Sequence, residues 1–177
     1  MVLSDYRIIT PRIHNDSRGC FYESYNARIA NKIGNPKFEQ MNTSVSKKGV
    51  LRGLHYQWNK PCGKLISVLK GEILDVIVDI RSSSDQYGTV SKFELSDKNK
   101  KILWIPPGYA HGFVAISDEV IVTYMVTSKW NKKGEGCIDP LDGSLNIGWK
   151  FDKSNLIISD KDKAGISFSE YKKSPRF

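Results

Sequence analysis

The nine residues Glu72–Ile80 constrain this chain more than any other stretch. Leu74, Val76, Val78 and Ile80 fall on one side of an alternation, and Ile73, Asp75, Ile77 and Asp79 on the other. A period of two with β-branched enrichment is a strand signature, because successive side chains on a pleated backbone point to opposite faces. The first face is wholly apolar, whereas the second mixes isoleucines with carboxylates.

The same texture recurs along the chain. Tyr6–Ile13, Cys20–Tyr25, Phe38–Val45, Gly49–Gln57 and Gly63–Leu69 read as strands before it, and Gly88–Leu95, Lys101–Ile105, His111–Ile116 and Val120–Thr127 after it. Turn-forming Gly, Pro, Asn, Asp and Ser separate them, as in Asn15–Gly19. Asn26–Ile33, closed by Gly34-Asn35-Pro36, has a helical reading. Many short strands with regular turns and little helix predict an all-β sandwich or barrel. The tail beyond Gly148 is less regular and is expected to wrap the outside. No internal repeat or linker interrupts the series.

A length of 177 residues predicts one domain, 1–177, large enough to bury about 70% of its unfolded surface without metals or disulfides. No apolar run reaches the length that spans a bilayer, and Met1–Arg7 lacks the basic and apolar regions of a signal peptide. Cys20, Cys62 and Cys137 are an odd, widely spaced set, which predicts reduced thiols in a cytoplasmic protein. The net charge of +8 comes from lysine pairs scattered along the chain, such as Lys47-Lys48 and Lys132-Lys133. That dispersion argues against nucleic-acid binding and leaves a bias toward small anionic ligands.

Polar residues inside the apolar runs are the candidates for chemistry. Arg52 and His55 lie in Val50–Gln57, flanking Gly53. A free imidazole titrates near neutral pH, so a histidine such as His55 suits a general base, although a core histidine bonded to a carbonyl has the same sequence. Arg52 keeps its charge and, if buried, needs an anion. A flat strand would send the two to opposite faces, and a bulge at Gly53 would bring them together. His111 follows the rigid Pro106-Pro107-Gly108 turn. Lys64 leads into an apolar strand, where it would either stabilise an oxyanion or reach solvent. Tyr124 shares the parity of Val120, Val122 and Val126, so it is either core or a proton donor. Asp162, between Lys161 and Lys163, reads by default as a surface residue. Position 57 holds Gln57, so the His-x-His pair typical of metal-binding cupins is incomplete, and no metal site is expected.

Taken together these segments resemble the dTDP-4-dehydrorhamnose 3,5-epimerase family of cupin-class sugar-nucleotide epimerases. The resemblance rests on Asp16–Gly19 with Phe21 and Glu23, on Gln40 and Asn42, and on Gly49–Gln57 and Gly63–Leu65. It continues through Gly71–Val76, Asp79–Arg81, Ile105–Phe113, Tyr124, Glu135 and Ser159–Asp162. It implies a cupin-like β-sandwich or jelly-roll barrel with a few short peripheral helices, no cofactor, and a homodimer with exchanged N-terminal strands. It also implies a dTDP-linked 4-keto-6-deoxy sugar as substrate, inverted at carbons 3 and 5. By position, His55 would be the base, Asp162 its dyad partner, Lys64 the enolate stabiliser and Tyr124 the acid. Arg52 and His111 would bind phosphate or sugar. Arg18, Glu23, Gln40, Asn42, Trp130, Glu135 and Lys161 would line the rest of the substrate site. Two positions depart from the family pattern: Met41 stands where an aspartate is usual, and Trp130 where a base-stacking tyrosine is common. An epimerase acting at one carbon and a non-catalytic sugar-nucleotide binder are the alternatives on the same scaffold.

Overall fold

Strands dominate the described residues, 5–177, of the computed structural model. The leader-free reading of Met1–Arg7 falls partly on residues 1–4, which lie outside the described residues. In chain order the strands are β1 (Arg7–Ile9), β2 (Ile13–Asp16), β3 (Gly19–Tyr22), β4 (Gln40–Lys47), β5 (Val50–Gln57), β6 (Lys64–Lys70) and β7 (Glu72–Asp79). They continue as β8 (Val90–Ser96), β9 (Ile102–Ile105), β10 (Tyr109–Ala115), β11 (Glu119–Val126), β12 (Glu135–Cys137) and β13 (Ile157–Ile158). Three short helices, α1 (Ala27–Lys32), α2 (Asp160–Lys163) and α3 (Phe168–Lys173), lie among them.

One sheet runs β1-β9-β6-β11-β4. The other runs β12-β5-β10-β7-β8, with β13 pairing in parallel along β5, and β2 and β3 form a separate hairpin. All other pairings between these strands are antiparallel, so the two sheets make the all-β sandwich that the strand pattern predicts, of the cupin-like kind that the resemblance implies.

Both faces of β7 are buried, each against a different layer. Ile73 and Ile77 face the other sheet and pack with Ile66, Val68, Leu103, Phe113 and Val122. Leu74, Val76, Val78 and Ile80 face outward from the sandwich, where Leu145, Ile147, Trp149, Phe168 and Tyr171 cover them. The irregular tail therefore wraps the outside, as expected, and in doing so builds a second apolar layer. Burying a side chain of this size contributes roughly 1.5–3 kcal/mol. The Tyr171 hydroxyl anchors the layer by donating to the Ile80 carbonyl at 2.9 Å.

Two local expectations change. Tyr6–Ile13 is not one strand, because Pro11 separates β1 from β2 and has no N–H to give a ladder. The turn at Asn15–Gly19 narrows to two residues, with Asp16 opposite Gly19 and the Asp16 carboxylate accepting the Arg18 N–H at 2.8 Å. The helix is where the sequence puts it, capped by Asn26, whose side chain accepts the Ile29 N–H.

Candidate active site

A cavity of about 270 Å³ opens between the sheets, lined by Arg52, His55, Lys64, His111, Tyr124, Lys161 and Asp162 among others. A second space of about 460 Å³ adjoins it, sharing His55, Lys64 and Tyr124 and adding Gln40, Asn42, Trp130 and Glu135. The five-stranded sheet supplies Lys64 and Tyr124, and the six-stranded sheet supplies Arg52, His55 and His111.

Arg52 and His55 reach one cavity because the ladder between β5 and β10 shifts there. His55 pairs with His111 and Arg52 with Phe113, so three steps along β5 oppose two along β10. Gly53, at φ +126°, occupies the extra position. A Cβ there would stand 2.5 Å from the Gly112 Cα, and one on Gly112 would stand 2.6 Å from the Arg52 carbonyl oxygen. Two glycines therefore permit the approach that places an odd-spaced pair on one face.

The His55 Nε2 lies 2.7 Å from Asp162 Oδ1, and the Gly53 N–H donates to Asp162 Oδ2 at 3.2 Å. Asp162 is 4% exposed, which corrects its default reading as a surface residue. The tail returns along β5 as β13, and Ser159 then caps the first turn of α2, which aims the carboxylate inward. Burial pushes the Asp162 carboxyl up, but hydrogen bonds from His55 and Gly53 outweigh it and hold the group below its ordinary value. An ionised carboxylate accepts only, so a neutral His55 carries its proton on Nε2 and keeps a lone pair on Nδ1.

Lys64 is the first residue of β6 and sits at the cavity rather than in bulk solvent. Its ammonium donates to the His55 carbonyl at 3.3 Å and lies 3.5 Å from His111 Nδ1. Burial pulls its pKa down. His111 is itself held by a second carboxylate, with Nε2 2.9 Å from Asp75 Oδ2, and burial likewise pulls its pKa down. Asp75 is a residue that motif reasoning left without a role. Its signal was present as a carboxylate in the middle of the most apolar strand.

Tyr124 is raised above the ordinary phenol value, first by burial, with Arg52 opposing, so it is protonated at neutral pH. The Arg52 guanidinium bonds neutral oxygens, Ser46 Oγ at 3.1 Å and the Val45 carbonyl at 3.3 Å, which leaves its charge for a ligand. At the mouth, Glu135 accepts from Trp130 Nε1 at 3.1 Å and from Lys161 at 2.5 Å. Burial pushes the Glu135 carboxyl up, but these donors hold it below its usual range. Trp130 is 60% exposed there, an open aromatic face. Gln40 and Asn42 are bonded to one another on β4.

Arg18 and Glu23 stand apart from both cavities. Arg18 pairs with Asp16 at the tip of the β2–β3 hairpin, and Glu23 accepts from Asn26. Gln57 does not join His55 as a metal donor, because its amide oxygen, the atom that would ligate, accepts the Asn131 N–H at 2.9 Å, while its amide nitrogen donates to the Lys60 and Lys129 carbonyls. The Cys137 thiol, beside Asp162, is pushed up to about 12, first by burial and then by that carboxylate's charge. It is no nucleophile at neutral pH.

Carboxylate-oriented imidazoles, a desolvated lysine and a phenol around one cavity are groups for moving protons beside a carbonyl. The comparisons with known proteins point the same way. A family model described as dTDP-4-dehydrorhamnose 3,5-epimerase matches residues 1–170. The dTDP-4-dehydrorhamnose 3,5-epimerase of Methanothermobacter thermautotrophicus is 45% identical, over 88% of this chain and 85% of its own. That of Pseudomonas aeruginosa is 41% identical, over 96% and 94%. The crystal structure of the dTDP-6-deoxy-D-glucose-3,5-epimerase of Legionella pneumophila, in complex with dTDP-4-keto-L-rhamnose, superposes with a TM-score of 0.89 at 43% identity, covering 93% of this chain and 88% of that one. On its sequence, its fold and the length over which both agree, this chain belongs to the dTDP-4-dehydrorhamnose 3,5-epimerase family.

Proposed function

We propose that this protein inverts carbons 3 and 5 of dTDP-4-keto-6-deoxy-D-glucose to give dTDP-4-keto-L-rhamnose, without a cofactor. The observation that carries the reading is that His55, on the six-stranded sheet and held by Asp162 of α2, and Tyr124, on the five-stranded sheet, line one cavity that also holds Lys64. The ligand named for the Legionella relative is the product of this reaction.

The ketone at carbon 4 acidifies the hydrogens on carbons 3 and 5. His55 Nδ1 removes one of them, and the resulting imidazolium is stabilised by the ionised Asp162. The electron pair moves onto the ketone oxygen, where the Lys64 ammonium, steered by His111, stabilises the enolate. Tyr124 then delivers a proton to the opposite face of the same carbon, which inverts it. His55 returns its proton to solvent and the Tyr124 phenolate takes one up, so the site is reset for the second carbon. Arg52 binds the diphosphate, Trp130 stacks on the base, and Gln40, Asn42, Glu135 and Lys161 line the path between them.

The protein acts in the cytoplasm as a homodimer with exchanged N-terminal strands. Phe21 on the hairpin and Met41 and Val45 on the edge strand β4 are 67%, 63% and 58% exposed. A partner that covers them would also pair that open edge. Arg18 and Glu23 would then serve the partner's cavity, which accounts for their distance from their own. No helix among the described residues is long and apolar enough to cross a membrane.

Proton NMR of the substrate incubated with enzyme in deuterated water tests the reaction. Deuterium enters at both carbons, whereas label confined to one carbon overturns the double epimerisation. Light scattering gives the mass of a dimer; a monomer at assay concentration overturns the exchanged-strand assembly.

A further inference from the structure

Beside His55 and Asp162 lies a third potential metal ligand, which lines neither cavity and which the proton-transfer chemistry does not use. Cys137 pairs with His55 across β12 and β5, which brings their side chains to the same place. His55, Cys137 and Asp162 each offer a ligand atom, and the three atoms lie within 4.8 Å of one another. A tetrahedral centre with bonds of about 2.0–2.3 Å holds nitrogen, oxygen and sulfur atoms about 3.3–3.6 Å apart. The imidazole nitrogen and carboxylate oxygen, now 2.7 Å apart, have to open by about 0.6 Å, and atoms near the 4.8 Å limit have to draw in by about 1.2 Å.

We propose that His55, Cys137 and Asp162 form a three-ligand site for a thiophilic divalent cation, Zn²⁺ in the first instance, and that its occupation switches the enzyme off. The cation takes the place of the proton that His55 Nε2 shares with Asp162, and its binding releases that proton and the thiol proton to solvent. Thiolate, carboxylate and neutral imidazole balance the charge of the ion, and solvent fills the fourth position. Access runs past the imidazole, whose side chain is 28% exposed. Coordinated through Nε2, the ring keeps its remaining proton on Nδ1 and can no longer accept one from a substrate. The inhibition rests on the reading of His55 as the base, but the binding does not.

Cobalt separates the two. Co²⁺ added to metal-free protein gives a thiolate-to-metal charge-transfer band in the near ultraviolet, saturating at one ion per chain and displaced by Zn²⁺. Cys137→Ala and Cys137→Ser lose the band, turn over normally without metal, and need at least about tenfold more Zn²⁺ for half-inhibition. Chelation restores the wild type. A wild type without the band, variants that keep it through Cys20 or Cys62, or equal zinc sensitivity in all three proteins overturns the proposal. If the epimerase reading fails instead, turnover is absent throughout while the cobalt band and its loss in the variants remain.

Discussion

Among the described residues there are two imidazole–carboxylate pairs, and they differ in almost everything except their contact. His55 and Asp162 are 2.7 Å apart and His111 and Asp75 2.9 Å. The first pair joins strand β5 to a helix more than a hundred residues later, and both Asp162 oxygens are bonded. The second lies within one sheet, on neighbouring strands, and Asp75 Oδ1 is buried without a partner. The free nitrogens differ as well. His55 Nδ1 is left for a ligand, whereas His111 Nδ1 faces the Lys64 ammonium. An imidazole held by a carboxylate is thus not yet a base. On the proposed mechanism, what lies beyond its other nitrogen, and how dry the pair is, decide between accepting a substrate proton and aiming a neighbouring cation.

The widest separation between the pairs is expected in turnover. His55→Asn removes the proposed proton acceptor and should lower kcat by roughly 10²–10⁴-fold with little change in substrate affinity. His111→Asn removes the contact with Lys64 and the bond to Asp75 but no proposed proton acceptor, and should cost about 10-fold, in keeping with a lost orienting contact. Steady-state kinetics on both folded variants decide it; equal losses would erase the distinction between the two pairs.

The carboxylates should sort in the same order. In Asp162→Asn the amide can donate as well as accept, so the His55 tautomer is no longer fixed and Nδ1 is protonated in part of the population. A fall in kcat of about 10²-fold or more is expected, with a displaced pH profile. A purely structural Asp162 would leave that profile in place while lowering the melting temperature.

Much of this contrast could be read from sequence, but unevenly. The strands were legible because alternation and turn residues are local signals, and Pro11 was the local signal that the reading of Tyr6–Ile13 passed over. Arg52 and His55 stood out because charge is costly in an apolar run, and the bulge at Gly53 that unites them was foreseeable from their odd spacing. Asp162 was not legible from its neighbours, since Lys161 and Lys163 make it look solvated. Its burial depends on the tail folding back along β5, a contact between residues 107 apart that no local pattern encodes. Only the family resemblance singled it out. Asp75 was visible as an anomaly, yet its partner lay on a strand whose pairing the sequence does not state.

Removing charge from the drier pair should barely disturb the fold. Asp75→Asn keeps an oxygen to accept from His111 Nε2 and puts the amide nitrogen where Oδ1 now lacks a partner. Neutralising a buried carboxylate offsets the lost attraction to His111 and Lys64, so denaturant midpoints should move by no more than about 1 kcal/mol either way. A loss above about 3 kcal/mol would mean that the Asp75 charge holds the sheet together.

The smallest expected effect is a difference in where acid acts on the two pairs. Burial depresses the His111 pKa in the folded state, so between that value and the ordinary one, about 6.5, the unfolded chain binds more protons than the native one. Stability therefore falls as pH drops below about 6.5, and the loss ends once the native imidazole also protonates. Asp162 is likewise depressed when folded, but its contribution persists down to the ordinary carboxylate value near 4 and is lost only as pH falls through the folded value. Denaturation midpoints measured from pH 8 to pH 3 should thus show a first decline near 6 that His111→Asn flattens, and a second near 4 that Asp162→Asn flattens. A His111→Asn curve parallel to the wild type between pH 7 and pH 5 would show that the buried imidazole is not the group resisting protonation, and the drier pair would lose the property that sets it apart.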